Sequence, residues 1–238
     1  VNNINLKVHI STQASTLNYE AVSFWKSQGV ERVVLAREMS KNEIKEIIDK
    51  TGMEIETFVH GAMCSSYSGR CVLSNYFTKR DANRGGCAQI CRWEFPLYDK
   101  NNNMIESETK FTASSKDLMM LTKVKEMIEI GIVSLKVEGR MRSNYYVATV
   151  INTYRNLIDD YYETKLTEEK VEYYQKILDR VANREATVQF WDKLPTVNEQ
   201  YYLGRNEVSN QDFLGIVKDY DETTSMVTIT ERNYFQTG

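Results

Sequence analysis

The feature that most constrains the fold of this chain is the placement of its cysteines. All four cysteines of the 238-residue sequence fall between Cys64 and Cys91, with the spacing Cys-x6-Cys-x15-Cys-x3-Cys. Four thiolates are what a tetrahedral metal ion or an iron–sulfur cluster requires. The spacing has neither the paired Cys-x2-Cys units of a zinc ribbon nor the Cys-x2-Cys-x2-Cys run of bacterial ferredoxins. The fold, rather than a short loop, must therefore assemble the predicted metal ligands, which are Cys64, Cys71, Cys87 and Cys91.

Two other interpretations of the cysteines are a pair of structural disulfides and four unrelated thiols. Residues 1–29 contain no basic-then-apolar leader, and no apolar run approaches the roughly 18 residues of a membrane span. With 42% hydrophobic residues, the chain can bury an ample core without disulfides. We therefore expect a cytoplasmic protein with no membrane segment, whose reduced thiols bind a metal ion or a cluster.

The cysteine segment, residues 61–93, is locally basic in an acidic chain. The net charge of the whole sequence is −3, which argues against a general nucleic-acid binder. The stretch from Gly61 to Phe95, however, contains five basic residues and only two acidic ones, Asp81 and Glu94. This pattern predicts an anionic substrate near the cysteines. The alternative is that the arginines hold a polar loop in place.

The first half of the sequence alternates apolar strand patterns with amphipathic helix patterns. Ser40 and Glu43 form a predicted capping box, and Gly52 ends the helix that they begin. Repeated βα units of this length predict a parallel sheet with right-handed crossovers, as a barrel or a doubly wound sheet. The predicted strands cover residues 6–11, 32–36 and 53–60, and the predicted helices cover residues 18–28 and 40–51.

The second half adds further helices and ends in a hairpin. Predicted helices cover residues 115–130, 143–162 and 167–182. The predicted strands are 94–98, 110–113 and 133–138, with weaker signals at 188–190 and 201–202 and a hairpin of 214–217 with 226–230. We place the α/β unit at residues 1–184, a linker at 185–208 and the start of a small antiparallel β domain at 209–238.

Several stretches together resemble the collagenase-like peptidase family U-32. The run from Glu56 to Cys64, followed by the Ser-Gly-Arg-Cys of residues 68–71, is similar to the hallmark of that family. The resemblance extends over nearly the whole chain. Further matching stretches are His9–Gln13, Arg80–Cys87, Cys91–Trp93, Lys136–Met141, Gly215–Val217 and Glu231–Asn233.

The resemblance implies a fold and two kinds of activity. The implied fold is a TIM-like (β/α) barrel, of which this chain lacks the first strands. Some members of the family are described as collagen-degrading proteases. Others are oxygen-independent hydroxylases that bind a four-iron four-sulfur cluster through four cysteines. Those act on transfer RNA, giving 5-hydroxyuridine at the wobble position, on ribosomal RNA, giving 5-hydroxycytidine, or on a ubiquinone precursor.

We predict an RNA hydroxylase because a cluster uses all four thiols, whereas a cysteine protease needs one. The sequence has no His-Glu-x-x-His motif, although Cys64 or Cys71 with His60 would form a dyad. Peptidase activity and a non-catalytic module with a structural metal clamp are the alternatives. In air-purified protein we expect that the site can hold zinc or be empty. Assembly with a second copy or with a partner subunit is a further expectation.

Four polar residues near strand ends are the predicted catalytic groups. Barrel enzymes carry their chemistry at the carboxyl ends of strands, where His60, Glu138 and Gln13 are expected. Glu56 shares one face of its strand with His60 if side chains alternate regularly. The alternatives are a structural histidine and a salt bridge of Glu138 with Lys136 or Arg140. The predicted RNA contacts are Arg70, Arg80, Arg84 and Arg92, with Tyr67, Tyr76, Phe77 and Trp93 as stacking partners.

Overall fold

The computed structural model of the protein describes residues 6–106, 110–181, 184–203 and 214–234. Over these ranges the chain forms a mixed α/β unit and a two-stranded antiparallel hairpin. The strands of the main sheet are β1 (His9–Ile10), β2 (Arg32–Val34), β3 (Glu54–Gly61), β4 (Asp117–Met119), β5 (Ser134–Val137) and β6 (Ala186–Thr187). The helices are α1 (Tyr19–Ser27), α2 (Lys41–Thr51), α3 (Leu73–Thr78), α4 (Val124–Glu129), α5 (Asn144–Tyr162) and α6 (Glu168–Leu178). Short 3₁₀ turns occupy Thr12–Ala14, Ala82–Arg84, Ile90–Arg92, Leu121–Lys123 and Val197–Glu199.

The centre of the sheet is parallel, as the βα pattern predicts. β1 pairs with β2, β2 with β3, and β3 with β5, all in parallel register. β4 runs antiparallel to the carboxyl end of β3, and β6 runs parallel to β4. Because the parallel strands share one direction, their carboxyl ends lie along one edge of the sheet, and the cysteine segment leaves β3 at that edge.

Buried aliphatic side chains join the strands to the helices. Val33 on β2 and Ile55 and Val59 on β3 are fully buried, and Ile44 and Ile47 on α2 belong to the same core. Each such side chain stabilises the fold by about 1.5–3 kcal/mol when it leaves water. The sheet is thereby a rigid support for the loops at its edge.

The predicted helix ends are confirmed where a local signal marks them. Ser40 and Glu43 form the capping box of α2, and Gly52 ends that helix in the left-handed conformation with φ of 56°. The side chain of Asn18 caps α1, and that of Ser143 caps α5. These ends depend on hydrogen bonds within a few residues, which a sequence pattern can report.

The helix predicted over residues 115–130 is wrong in its first half. Residues 117–119 form strand β4, and α4 begins only at Val124. The carboxylate of Asp117 lies 2.6 Å from the Arg142 guanidinium and 3.1 Å from that of Arg184, and all three side chains are buried. These distant ion pairs, together with the pairing of β4 with β3 and β6, hold an extended conformation that local helix propensity does not foresee.

Other predicted strands are shorter than expected. The segments 94–98 and 110–113 contribute isolated bridges, Phe95 opposite Phe111 and Tyr98 opposite Met104. The strand predicted weakly at 188–190 is found slightly earlier in the chain, as β6 at Ala186–Thr187. Residues 201–202 form no strand.

The stretch predicted as a linker, 185–208, contributes β6 and the buried side chains of Trp191 and Tyr201 to the α/β unit. Its residues 204–208 lie outside the described residues. In the predicted β domain, β7 (Gly215–Asp221) and β8 (Met226–Glu231) form the expected antiparallel hairpin. Residues 209–213 and 235–238 lie outside the described part. None of the described helices combines the length and the apolar character that crossing a membrane requires.

Candidate active site

Two glycines allow the cysteine segment to pack against the carboxyl edge of the sheet. Gly61, the last residue of β3, has a φ of 106°, and a β-carbon there would collide with the backbone carbonyl of Glu138 after β5. Gly69 has a φ of 70°, and a β-carbon there would collide with the carbonyl of Gln13. At both positions an L side chain is disfavoured twice, by the positive φ and by the collision of its β-carbon. Glycine has no β-carbon and therefore permits these close approaches.

The four cysteines line one cavity of about 230 Å³, which we call the cysteine cavity. All four are free thiols and partly buried. The wall also includes residues of the β1 loop, the end of β3 and the turn after β5. Among its lining residues are Thr12, Gln13, Arg37, Ser65, Tyr67, Asn83, Gln89, Arg92, Glu138 and Arg140.

A polar network holds the walls of this cavity in place. Asn83 accepts a hydrogen bond from the Cys71 backbone nitrogen at 3.3 Å and donates one to the Cys71 carbonyl at 3.0 Å. Ser68 donates from its backbone nitrogen to Glu38 at 2.7 Å, and its hydroxyl oxygen accepts from the Arg37 backbone nitrogen at 3.1 Å. The cysteine segment is thus tied to the loop after β2 as well as to itself.

Arg37 brings a positive charge to the thiols and has no sequence signal of its own. Its guanidinium lies 3.8 Å from the centre of the Phe58 ring. Burial lowers the pKa of Arg37, although the nearby Cys64, Glu138 and Glu38 oppose that effect. Burial raises the pKa of Cys64, and a backbone hydrogen bond with Ser66 and the charge of Arg37 partly offset that effect.

The donor set fits a four-thiolate metal ion or cluster, because four free thiols surround one cavity. Within the described ranges, no three His, Cys, Asp or Glu side chains are arranged so that they could hold a metal ion as they stand. The four thiols would therefore have to come closer together to hold a metal ion or a cluster.

Two of the four predicted catalytic residues line the cysteine cavity. They are Gln13, from the turn after β1, and Glu138, from the turn after β5. A carboxylate oxygen of Glu138 accepts a hydrogen bond from the Arg140 backbone nitrogen at 3.1 Å. Gln13 and Glu138 therefore share the lining of this cavity with the four cysteines.

His60 and Glu56 lie elsewhere. The pairing of β3 with β5 shifts register between Phe58 and His60, which breaks the alternation on which their common face depended. His60 is buried beneath α5, with Nδ1 3.3 Å from the Tyr154 phenol oxygen. Burial, aided by the charge of Arg142, lowers its pKa to about 4. This position favours a structural, neutral histidine.

Glu56 forms an ion-pair network on the sheet. Its carboxylate accepts from the Ser134 hydroxyl at 2.8 Å and from the Lys136 ammonium at 3.1 Å, and it lies 3.8 Å from Arg32. Burial would raise the pKa of Glu56, but the hydrogen bonds from Ser134 and Lys136 outweigh it, and the pKa is lowered. The network keeps Glu56 ionised and accounts for its position without catalysis.

The predicted RNA-binding arginines divide into two groups. Arg92 lines the cysteine cavity, and Arg92 and Arg80 line a second cavity of about 530 Å³ beside it. Arg70 and Arg84 are exposed and belong to the lining of neither, and Arg84 lies 3.4 Å from Asp81. The second cavity, here called the arginine cavity, is lined by Arg80, Arg92, Arg140, Arg142 and Arg184, together with Glu138, Cys87, Gln89, Met141, Ala62, Gly85 and Ala88.

The sequence offers partial signals for these additional arginines. Arg140 stands in the Lys136–Met141 stretch that resembles the family, at the end of a predicted strand. Arg142 and Arg184 carry no local signal, because the fold brings them together through Asp117 on β4.

Aromatic rings cluster on and just after the cysteine segment. Phe77 lies 5.2 Å from Tyr76, 6.4 Å from Trp93 and 6.0 Å from Phe95, measured between ring centres. Tyr67 lines the cysteine cavity and is exposed. The predicted stacking residues therefore lie on the same segment as the thiols.

Comparison with known proteins adds relatives with two kinds of name. The chain is 47% identical to "tRNA hydroxylation protein P1" of Bacillus subtilis, covering 98% of this chain and 57% of the relative. It is 32% identical to "tRNA hydroxylation protein P" of Haemophilus influenzae, covering 98% and 61%. It is 35% identical to "Collagenase" of Porphyromonas gingivalis, covering 86% and 49%. The chain thus spans about half to three fifths of the length of these relatives.

No solved structure shows significant similarity to the chain. The profile of peptidase family U32 matches residues 1–201, which include the cysteine segment and the whole main sheet. The chain belongs to peptidase family U32.

Proposed function

We propose that the protein hydroxylates a pyrimidine in RNA, converting the wobble uridine of transfer RNA to 5-hydroxyuridine, in an iron–sulfur-dependent and oxygen-independent reaction. The observation that carries the proposal is the convergence of all four cysteines on one cavity at the carboxyl edge of a parallel sheet. Relatives named as tRNA hydroxylation proteins over nearly the whole chain support the reaction and the substrate class.

Four residues would hold the cluster, namely Cys64, Cys71, Cys87 and Cys91. When bound, a cluster with four thiolate ligands supplies electron transfer or structural order, because no iron is left open. The positive charge of Arg37 beside Cys64 favours a negatively charged assembly in the cavity.

Two polar residues of the cavity lining, Gln13 and Glu138, are the proposed groups that orient the base. Replacing the C5 hydrogen of the pyrimidine with a hydroxyl group is a two-electron oxidation. With water as the oxygen source it releases two protons and two electrons (R–H + H2O → R–OH + 2 H+ + 2 e−), so the reaction also requires an electron acceptor that takes up both electrons. We assign Gln13 to hydrogen bonds with the Watson–Crick edge, since an amide both donates and accepts. We assign Glu138 to accept the proton that leaves the ring, because it is the acidic side chain among the described lining residues.

Aromatic and basic side chains around the cavity suit an unpaired nucleotide. Tyr67, Tyr76 and Phe77 are exposed on the cysteine segment, where a base extruded from an RNA loop can stack on a ring. Phosphate contacts from the arginines predict that binding weakens as salt rises. The cytoplasmic location expected from the sequence suits an RNA substrate.

We further propose that the parallel sheet is part of a TIM-like barrel. Neighbouring parallel strands joined by α1 and α2, with the candidate site at their carboxyl edge, support this arrangement. The proposed domain limits are residues 1–184 for the barrel part and 209–238 for a small β domain, and the connecting residues 185–208 add β6 to the main sheet.

Mass spectrometry of nucleosides from cells that lack the gene tests the function. One hydroxylated pyrimidine should disappear, and the wild-type gene should restore it. Cys64→Ser should fail to restore it, whereas Ser65→Ala, a matched change on the same cavity, should restore most of it. An unchanged nucleoside profile in the deletion strain would contradict RNA hydroxylation.

Peptidase activity is the second candidate, because one relative is named a collagenase. A cysteine protease needs a histidine beside its nucleophile. None of the described residues that line the cysteine cavity is a histidine, and His60 is held under α5. Cleavage of denatured collagen by purified protein, retained when three of the cysteines are serine, would favour the peptidase. A structural metal clamp without catalysis, the third alternative, predicts metal binding with neither activity.

A further inference from the structure

The arginine cavity concentrates positive charge beside the thiols. Its described lining contains five arginines and one acidic residue, Glu138. Guanidinium groups are the side chains that match phosphate geometry best, because their N–H donors form a rigid planar fork. A cavity of about 530 Å³ with such a lining attracts an anion.

Two of these arginines are held rigidly at the inner side of the cavity. The Arg142 guanidinium lies 2.6 Å from the Asp117 carboxylate and 4.7 Å from the centre of the Tyr146 ring. Arg184 lies 3.1 Å from Asp117, and its side chain is 1% exposed. Because Asp117 on β4 and Tyr146 on α5 hold these two guanidinium groups in place, little side-chain entropy is lost when a ligand binds.

Arg140 closes the cavity on the side of the cysteine segment. Its guanidinium donates to the Gly85 carbonyl at 2.7 Å and is otherwise accessible. Arg92 enters from the 3₁₀ turn Ile90–Arg92. Guanidinium groups bind phosphate through paired N–H donors, so arginines from several directions suit one phosphate group.

The arginine cavity and the cysteine cavity share a wall. Cys87, Gln89, Arg92, Glu138 and Arg140 line both. A ligand whose phosphate is bound in the arginine cavity would therefore have its neighbouring atoms next to the cysteine cavity.

We propose that the arginine cavity is a phosphate-binding subsite that holds the phosphate adjoining the target nucleotide and directs its base into the cysteine cavity. This inference rests on the proposed RNA substrate. Of the arginines predicted from the sequence it keeps Arg92 and leaves out the exposed Arg70 and Arg84. It adds Arg140 as a second arginine that positions the reacting nucleotide, supported by Arg142 and Arg184.

Fluorescence anisotropy with the full-length protein tests the subsite. The probes are a labelled anticodon stem–loop RNA and the same RNA with one uncharged methylphosphonate linkage on the 5′ side of the wobble uridine. Loss of one charged hydrogen-bonded contact should weaken binding to wild type about tenfold. Arg140→Gln and Arg92→Gln should weaken binding of the natural RNA by a similar factor. They should have a much smaller effect on the methylphosphonate RNA, because the phosphate and the arginines act as one unit.

Arg155→Gln is the matched control, since Arg155 is exposed on α5 and pairs with Asp159. It should leave binding of both RNAs within twofold of wild type. Inorganic phosphate as a competitor separates the two sources of a phosphate group. In one outcome inorganic phosphate displaces the RNA only when Arg140 is present, while the methylphosphonate linkage leaves RNA binding unchanged. That outcome would assign the subsite to a free phosphate ion and would contradict the proposal that it positions the target nucleotide.

Equal losses with both RNAs in Arg140→Gln and Arg92→Gln would also overturn the subsite, because general electrostatic attraction would then explain them. That result would leave the nucleoside test of hydroxylation untouched. Conversely, the nucleoside profile could be unchanged in the deletion strain while the arginine variants still weaken only the natural RNA. That result would contradict RNA hydroxylation and support the phosphate subsite.

Discussion

His60 Nδ1 lies 3.3 Å from the phenol oxygen of Tyr154. That oxygen also accepts a hydrogen bond from the Met120 backbone nitrogen at 3.3 Å and donates one to the Val59 carbonyl at 3.0 Å. Since the single phenol proton goes to Val59, we assign the imidazole proton to Nδ1. The pair therefore joins the carboxyl end of β3 to α5, directly beneath the loop that carries the thiols.

Replacement of His60 by glutamine should reduce the acid sensitivity of the fold. The pKa of His60 falls from 6.5 to about 4 on folding, so the unfolded chain binds the proton more readily. Its contribution to stability is present above pH 6.5 and is lost as the pH falls from 6.5 towards 4. Between pH 7.5 and pH 5 this loss amounts to about 2 kcal/mol in the free energy of unfolding. Urea unfolding at the two pH values should show a smaller loss in the variant, and an equal loss would contradict the assignment.

Gly69→Ala should destabilise the protein more than Gly85→Ala. Both glycines have positive φ, 70° and 84°, so each alanine meets the left-handed strain of about 1–2 kcal/mol. Only at Gly69 would the new methyl group also collide with the Gln13 carbonyl, whereas nothing lies within 4 Å at Gly85. Chemical unfolding measures the difference. Equal losses would show that the cysteine segment does not pack tightly on the β1 turn.

The sequence predicts this fold best where structure depends on neighbouring residues. The capping box of Ser40 and Glu43 and the left-handed Gly52 follow from short-range hydrogen bonds and backbone sterics, and both are present. The parallel order of β1, β2 and β3 follows from βα units of ordinary length. The cysteines reach one cavity because their segment leaves the carboxyl end of β3.

The features that could not be predicted depend on distant partners. β4 is extended because Asp117 meets Arg142 and Arg184, which are remote in sequence. The shared face predicted for Glu56 and His60 assumes an unbroken alternation along β3, and the irregular register against β5 removes it. Arg37 enters the site from the loop after β2, where no motif marks it.

Asp117→Asn should strongly destabilise the α/β unit. The change keeps the shape of the side chain but removes the negative charge that two buried guanidinium groups share. Breaking a buried ion pair in this way costs roughly 3–5 kcal/mol. The control is Asp159→Asn, which removes an exposed i,i+4 pair with Arg155 and should cost at most about 0.5 kcal/mol. Thermal unfolding compares the two variants, and similar melting temperatures would contradict a buried network.

Replacement of any one of the four cysteines by serine should abolish or strongly reduce cluster binding. A four-iron four-sulfur cluster needs thiolate ligands, and the cavity offers one thiol from each of Cys64, Cys71, Cys87 and Cys91. Iron and sulfide analysis of anaerobically prepared protein, with the visible absorption spectrum, measures the loss. Ser65→Ala should keep wild-type iron, because it changes the cavity wall without removing a thiol. Stoichiometric zinc without iron in the wild-type protein under these conditions would contradict the cluster and leave a structural metal site. Full iron content in one cysteine variant would remove that residue from the ligand set.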